Sequence, residues 1–132
     1  MMRRNKDEIR NILKPYLEKR KEVLMAFLFG SVAQEKYCQE SDIDLAVYLK
    51  EETRVDKLWN VLEGLLHREV DLVVLNRAPA TLSWSVLRKG VPIVIKNRSL
   101  FLDFLINVST EAEDFIEFNF DTWRMKNAHR EK

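Results

Sequence analysis

FLFGSVAQEKYCQESDIDLAVYL, residues 27–49, decides how this chain is read. An apolar run stops at Gly30-Ser31, a polar segment follows, and a second apolar run begins with Asp42 and Asp44 built into its start. Successive side chains of a strand alternate faces. Asp42 and Asp44 therefore point one way, while Ile43, Leu45 and Val47 point the other way into a core. Two carboxylates on one face, roughly 6.5–7 Å apart along the strand, repel each other unless a cation lies between or beside them. Hard oxygen donors of this kind suit Mg²⁺ or Mn²⁺.

A third acid interrupts a later apolar run. Asp71 sits in EVDLVVL, residues 69–75, with Val70, Leu72 and Val74 on the opposite face. If this strand neighbours the one at 43–49, Asp71 completes a three-carboxylate cluster; Glu69 shares its face nearer the strand's start. Gly30 ends the first strand and Ser31 opens the next segment. Such a turn brings backbone N–H groups and a hydroxyl close to a ligand, and a helix N-terminus favours anions. An anion-binding turn beside metal-binding carboxylates is what a nucleoside triphosphate requires. A lone Gly-Ser or a lone Asp-x-Asp means little, since turns and strand edges use both everywhere. The spacing of all four features is what carries information.

The remaining elements follow quickly. Ile9, Ile12, Leu13, Tyr16 and Leu17 recur at helical spacing, so residues 5–21 read as an amphipathic helix that Pro15 should kink or break. VLMAFLF, 23–29, reads as a buried strand, and a short helix is expected over 31–37. Val55, Leu58, Trp59, Leu62, Leu65 and Leu66 make a second amphipathic helix, with Thr53 and Asp56 as its capping start. Residues 79–89 read as a helix stopped by Gly90. VPIVIK, 91–96, reads as a short strand near an edge, because Pro92 cannot donate a ladder hydrogen bond. From Ser99 to about Asn127 the pattern is helical, with Thr110 and Glu113 as a possible second start. Strands alternating with helices predict an α/β or α+β domain: a small mixed sheet of about four strands flanked by helices, with a long C-terminal helical segment.

Composition sets the bounds. At 132 residues the chain suits one domain, with a core over 5–96 and the helical segment over 99–130. Apolar residues make up 46% of it, which argues for a folded domain. Twenty-two basic residues against 21 acidic ones leave a net charge of +1, no footprint for general nucleic-acid binding. The single cysteine, Cys38, excludes an internal disulfide and fits a reducing compartment such as the cytoplasm. The N-terminus lacks the apolar stretch of a signal peptide, and no apolar run is long enough to span a membrane.

GSVAQEKYCQESDIDLAV resembles the G-S-x(10)-D-x-D signature of the DNA polymerase β-like nucleotidyltransferase superfamily, with residues 32–41 as the ten spacers. Asp71 matches the third acidic position, and the resemblance covers residues 5–96. The small size is similar to the minimal nucleotidyltransferases, the MNT antitoxins encoded beside HEPN-domain ribonuclease toxins. The resemblance implies a polymerase β-like fold in which Gly30 and Ser31 contact the triphosphate and Asp42 and Asp44 bind metal. It implies that Asp71 binds one metal and assists the nucleophile. The reaction implied is transfer of AMP from ATP, with Mg²⁺ or Mn²⁺, to a hydroxyl. In the antitoxin group that hydroxyl belongs to a tyrosine of the partner HEPN toxin, whose ribonuclease activity is thereby blocked. In one respect the chain departs from the pattern. Many members carry a base and a glycine soon after Gly-Ser, where this chain has Gln34 and Glu35. That lowers the phosphate affinity expected there, and Lys36 is the candidate cation to compensate.

The C-terminal segment is rich in aromatics. Phe101, Phe104, Leu105, Val108, Ala112 and Phe115 have ordinary core spacing, while Ile116, Phe120 and Trp123 form a second stripe and Phe118 points elsewhere. One core face cannot absorb them all, so residues 118–123 are expected to form a partner surface. His67 at a helix end and His129 in a charged tail do not make a zinc site. Trp84 and Arg88 either line a base pocket or, as the simpler reading, pack. The runs MRRNK and EKRK are most simply solvated helix faces. Two other functions compete with the active enzyme: an antitoxin that neutralises by binding alone, and a nucleotidyltransferase acting on a small molecule or an RNA end. The last generally needs an extra domain or a dimer to build its acceptor site.

Overall fold

The computed structural model describes residues 6–30, 43–51 and 54–112. Helix α1 (Lys6–Lys19) leads into strand β1 (Val23–Phe29). Strand β2 (Ile43–Leu49), helix α2 (Val55–Leu66), strand β3 (Val70–Val74), helix α3 (Ala80–Lys89) and strand β4 (Val91–Ile95) follow. The chain is helical again over 98–112, here called α4. The four strands form one sheet in the order β3-β2-β1-β4. β1 pairs antiparallel with both β2 and β4, and β2 pairs parallel with β3. The expected mixed α+β architecture is present, with the proline-bearing strand at an edge.

The sheet separates two apolar layers. On one side Ile9, Leu13 and Leu17 of α1 and Leu58, Leu62 and Leu66 of α2 pack against Leu28, Ile43, Leu45, Val47 and Leu72. On the other side α3 and α4 cover Met25, Phe27 and Ala46, with Phe101 stacked on Phe27 at 6.2 Å and Phe104 edge-on to Tyr48 at 5.1 Å. β1 is therefore apolar on both faces, which is why it reads as a continuous run rather than an alternation. Each fully buried large aliphatic contributes roughly 1.5–3 kcal/mol relative to exposure. The core stripe on α4 continues through Val108 and Ala112, both buried; Phe115 and the aromatics expected to meet a partner lie outside the described residues.

Several local expectations need correcting. Pro15 does not break α1: it lies on the exposed side, opposite the buried stripe, where its missing N–H and its ring meet solvent. α2 begins where expected, but Arg54 occupies the capping position in a left-handed conformation (φ 61°) with no side-chain cap, and Thr53 lies outside the described residues. α3 stops at Gly90 as expected, with the glycine in extended backbone at φ −78°. Its requirement is space: a β-carbon there would stand 2.5 Å from the Val86 carbonyl oxygen and 3.1 Å from that of Leu28. α4 starts at 98, capped by Asn97, whose Oδ1 accepts the Leu100 N–H at 3.0 Å. It runs through Thr110 without a second start, because the Thr110 hydroxyl donates back to the Ile106 carbonyl at 3.1 Å.

Candidate active site

Because β2 and β3 are parallel, their starts lie at the same end of the sheet, and β1, running the other way, ends there too. Asp44 pairs directly with Asp71 across the β2–β3 ladder and with Phe29 across the β1–β2 ladder. Directly paired positions on neighbouring strands share a face, with backbones roughly 4.8 Å apart. Asp44 is half-buried and Asp71 exposed, while their neighbours Ile43, Leu45, Val70 and Leu72 are buried on the opposite face. The alternation read from the sequence thus delivers both carboxylates to the α3/α4 side of the sheet, at the end where β2 and β3 begin.

Side chains from α2 fix where β3 starts. β3 is an edge strand, and Val70 turns its backbone groups away from β2. Its N–H donates to Glu63 Oε2 at 3.0 Å, and its carbonyl accepts the Trp59 indole N–H at 2.6 Å. On the inner side the Ile43 N–H donates to the Glu69 carbonyl at 3.1 Å. Residues 69 and 70 are thereby held on both edges, and Asp71 follows from a fixed point. Neither Trp59 nor Glu63 stands out in the sequence as part of a site, since both read as ordinary members of an amphipathic helix.

Gly30 closes the third side. Its φ is +79°, which L side chains rarely adopt. A β-carbon at this position would overlap the Asp44 carboxylate and approach its Cγ to 2.9 Å and its Cβ to 3.2 Å. The turn after β1 thus lies against the Asp44 side chain, and only a residue without a side chain allows it. Ser31, Lys36 and Asp42, the other residues expected in the site, lie outside the described residues. So does the helix expected over 31–37. Among the described residues no group of three His, Cys, Asp or Glu gathers, and Glu69 does not complete one with Asp44 and Asp71.

Two carboxylates side by side repel, and a divalent cation converts that repulsion into binding. Both carboxylates are hard oxygen donors, the chemistry that suits Mg²⁺ or Mn²⁺. On α3 the Arg88 guanidinium lies 5.6 Å from the Trp84 ring centroid, an i,i+4 pair. Among the described residues no helix is long and apolar enough to cross a membrane.

The same fold is found in solved structures of toxin–antitoxin systems. One, a toxin–antitoxin with AMP-PNP, is 22% identical over 87% of this chain and 95% of that chain, with a TM-score of 0.73. A second is the tri-AMPylated Shewanella oneidensis HEPN toxin in complex with MNT antitoxin. It is 20% identical over 88% of this chain and 93% of that one, with a TM-score of 0.67. A third, the toxin–antitoxin MntA–HepT, is 20% identical over 89% and 92%, with a TM-score of 0.63. At these identities the likeness is one of fold. No curated protein matches the chain. The family model described as polymerase beta, nucleotidyltransferase matches residues 11–99, a span that holds all four strands, Gly30 and both carboxylates. The chain belongs to the polymerase beta nucleotidyltransferase family.

Proposed function

We propose that this nucleotidyltransferase is the antitoxin of a toxin–antitoxin pair and transfers AMP from ATP to a tyrosine hydroxyl of a HEPN ribonuclease partner, silencing it. The observation that carries the reading is the pairing of Asp44 with Asp71 on parallel strands, with Gly30 pressed against Asp44. The solved complexes of the same fold, one holding AMP-PNP and one a tri-AMPylated HEPN toxin, support the choice of nucleotide and acceptor.

Asp44 and Asp71, with Asp42, would hold Mg²⁺ or Mn²⁺. When bound, the metal supplies charge neutralisation for the triphosphate oxygens. The Gly30-Ser31 turn, with Lys36, holds the β- and γ-phosphates and so orients the α-phosphorus. Asp71, the exposed carboxylate, takes the proton of the incoming hydroxyl. The hydroxyl oxygen bonds to the α-phosphorus, the bond from that phosphorus to the bridging oxygen breaks, and pyrophosphate leaves with the electron pair.

The test is incubation of the purified chain with α-labelled ATP, Mg²⁺ and the HEPN-type protein encoded in the adjacent reading frame. Label should pass to the partner, and Asp44→Ala should abolish transfer while the melting temperature stays close to that of the parent. Transfer that survives Asp44→Ala refutes the site. Neutralisation of the partner without any label transfer would replace the enzyme by an antitoxin that acts through binding alone.

A further inference from the structure

The end of the sheet opposite Asp44 and Asp71 collects cations that the sequence scatters. Arg20 and Lys21 come from the turn before β1, Lys50 from the end of β2, Arg54 and Lys57 from the start of α2, and Lys96 from the end of β4. Hydrogen bonds hold these segments together. The Lys50 N–H donates to the Glu22 carbonyl at 2.7 Å, and the Lys96 N–H donates to the Leu24 carbonyl at 3.0 Å. Lys96 Nζ donates to the Arg20 carbonyl at 2.6 Å, joining residues 76 positions apart. Between them opens a groove of about 290 Å³ whose lining includes Glu22 and Glu51 as well as Arg20, Lys21, Lys50 and Arg54. A smaller recess of about 60 Å³ beside it reaches Tyr16 and Lys57. Arg20 is oriented by Glu22 at 3.1 Å and by the Tyr16 ring, 5.6 Å from its guanidinium. A chain with a net charge of +1 therefore carries a basic pole: four cations and two carboxylates line the groove, Lys57 lines the recess beside it, and Lys96 stands close to Glu22 and Glu18.

We infer that this basic pole docks an acidic face of the protein partner, an inference that rests on the proposed function. The interleaved glutamates select the class of partner. A nucleic-acid duplex is uniformly anionic and would press phosphates against Glu22 and Glu51. A protein face can set carboxylates against Lys21, Lys50 and Arg54 and one basic residue of its own against Glu51. Burial pushes the Glu22 carboxyl up, but its own backbone amide and Arg20 outweigh this and hold it below the usual glutamate value, so it stays charged at neutral pH. Tyr16, the aromatic residue of the recess, is half-buried and already carries the Arg20 guanidinium over its ring, 5.6 Å from the centroid. The pole lies about 20 Å from the carboxylates, the length of a seven-residue strand. Docking there leaves the approach to Asp44 and Asp71 open.

The experiment measures association of the full-length chain with its purified HEPN-type partner at 50 and 300 mM NaCl, comparing the parent with K21E/K50E/R54E. Charge steering acts mainly on the association rate, so reversal of three cations should slow it about tenfold or more at low salt. The gap should narrow at high salt, where exposed charges are screened. Thermal melting reports whether the variant folds, and K21E/K50E replaces it if the change at Arg54 disturbs its left-handed backbone. An association rate within twofold of the parent overturns the inference. So does loss of binding to a 16-base-pair RNA duplex with partner binding intact, which would give the pole to nucleic acid. D44A separates the two readings. Salt-dependent docking by D44A and parent alike, with no AMP transferred by either, would remove the proposed chemistry and uphold the docking surface. Transfer by the charge-reversed variant at the parent's rate, under conditions limited by association, would do the reverse.

Discussion

Replacing Gly30 by alanine adds one carbon at the place where β1 turns away from the sheet. The added methyl overlaps the Asp44 carboxylate and stands 2.9 Å from its Cγ and 3.2 Å from its Cβ. Two costs follow. Holding a non-glycine residue at φ +79° costs about 1–2 kcal/mol. The overlap with the carboxylate can be relieved by turning the Asp44 side chain, while the approach to its Cβ at 3.2 Å needs a shift of a few tenths of an ångström. The loss of stability should therefore be only about 1–2 kcal/mol in urea unfolding. Activity should fall much further, since displacing a reacting group by about 1 Å costs on the order of 100-fold. Gly90→Ala is the control. There the crowding atoms are the backbone carbonyl oxygens of Val86 and Leu28, at 2.5 and 3.1 Å, and neither can rotate away. That change should destabilise by more than Gly30→Ala. Gly30→Asn separates backbone strain from crowding, because asparagine tolerates positive φ but still carries a β-carbon. If crowding of Asp44 governs the loss, asparagine recovers stability and not AMP transfer. Gly30→Ala retaining transfer within threefold of the parent would show that Asp44 does not depend on the bare turn beside it.

Two further predictions concern the scaffold. Asn76 accepts the Leu49 N–H at 2.8 Å and donates to the Leu49 carbonyl at 2.7 Å, closing the end of β2 as a strand would. Asn76→Ala leaves both groups without this partner and should cost about 2–4 kcal/mol in chemical denaturation; a loss under 0.5 kcal/mol would show that solvent replaces both bonds. Glu22, with its carboxyl held below the usual value when folded, contributes stability that is present above the ordinary glutamate range and is lost as pH falls through that range toward the folded value. Glu22→Gln should therefore lower stability at neutral pH and leave the acid end nearly unchanged, which flattens the acid limb of a stability–pH curve, and parallel acid limbs for the two proteins would refute the assignment.

Much of this architecture could be read from residue order alone. The strands at 23–29 and 43–49 match their expected bounds to the residue, because Gly30 and the charged residues at their ends cut apolar runs off sharply. The faces of Asp44 and Asp71 follow from alternation. Their direct pairing does not, since nothing local to either strand sets its register against the other. That register depends on Trp59 and Glu63, which reach Val70 from 11 and 7 positions away. Local exceptions were equally hidden. Pro15 is tolerated because it faces solvent, and Arg54 adopts positive φ with no glycine to signal it. The cap at Asn97 could have been found, since asparagine before a helical run is a common start. The basic pole could not, because it exists only once three connections meet at one end of the sheet.

The fixing of Val70 by Trp59 and Glu63 bears on how preparations of this protein should behave. Shifting β3 by a single position would turn Asp71 toward Leu62 and Leu66 and expose Val70 and Leu72 to water. Such a molecule would lose its hydrophobic interior and its paired acids in the same step. No well-packed but misaligned population should therefore accumulate, and the fraction of a sample competent to bind nucleotide should equal the fraction that is folded.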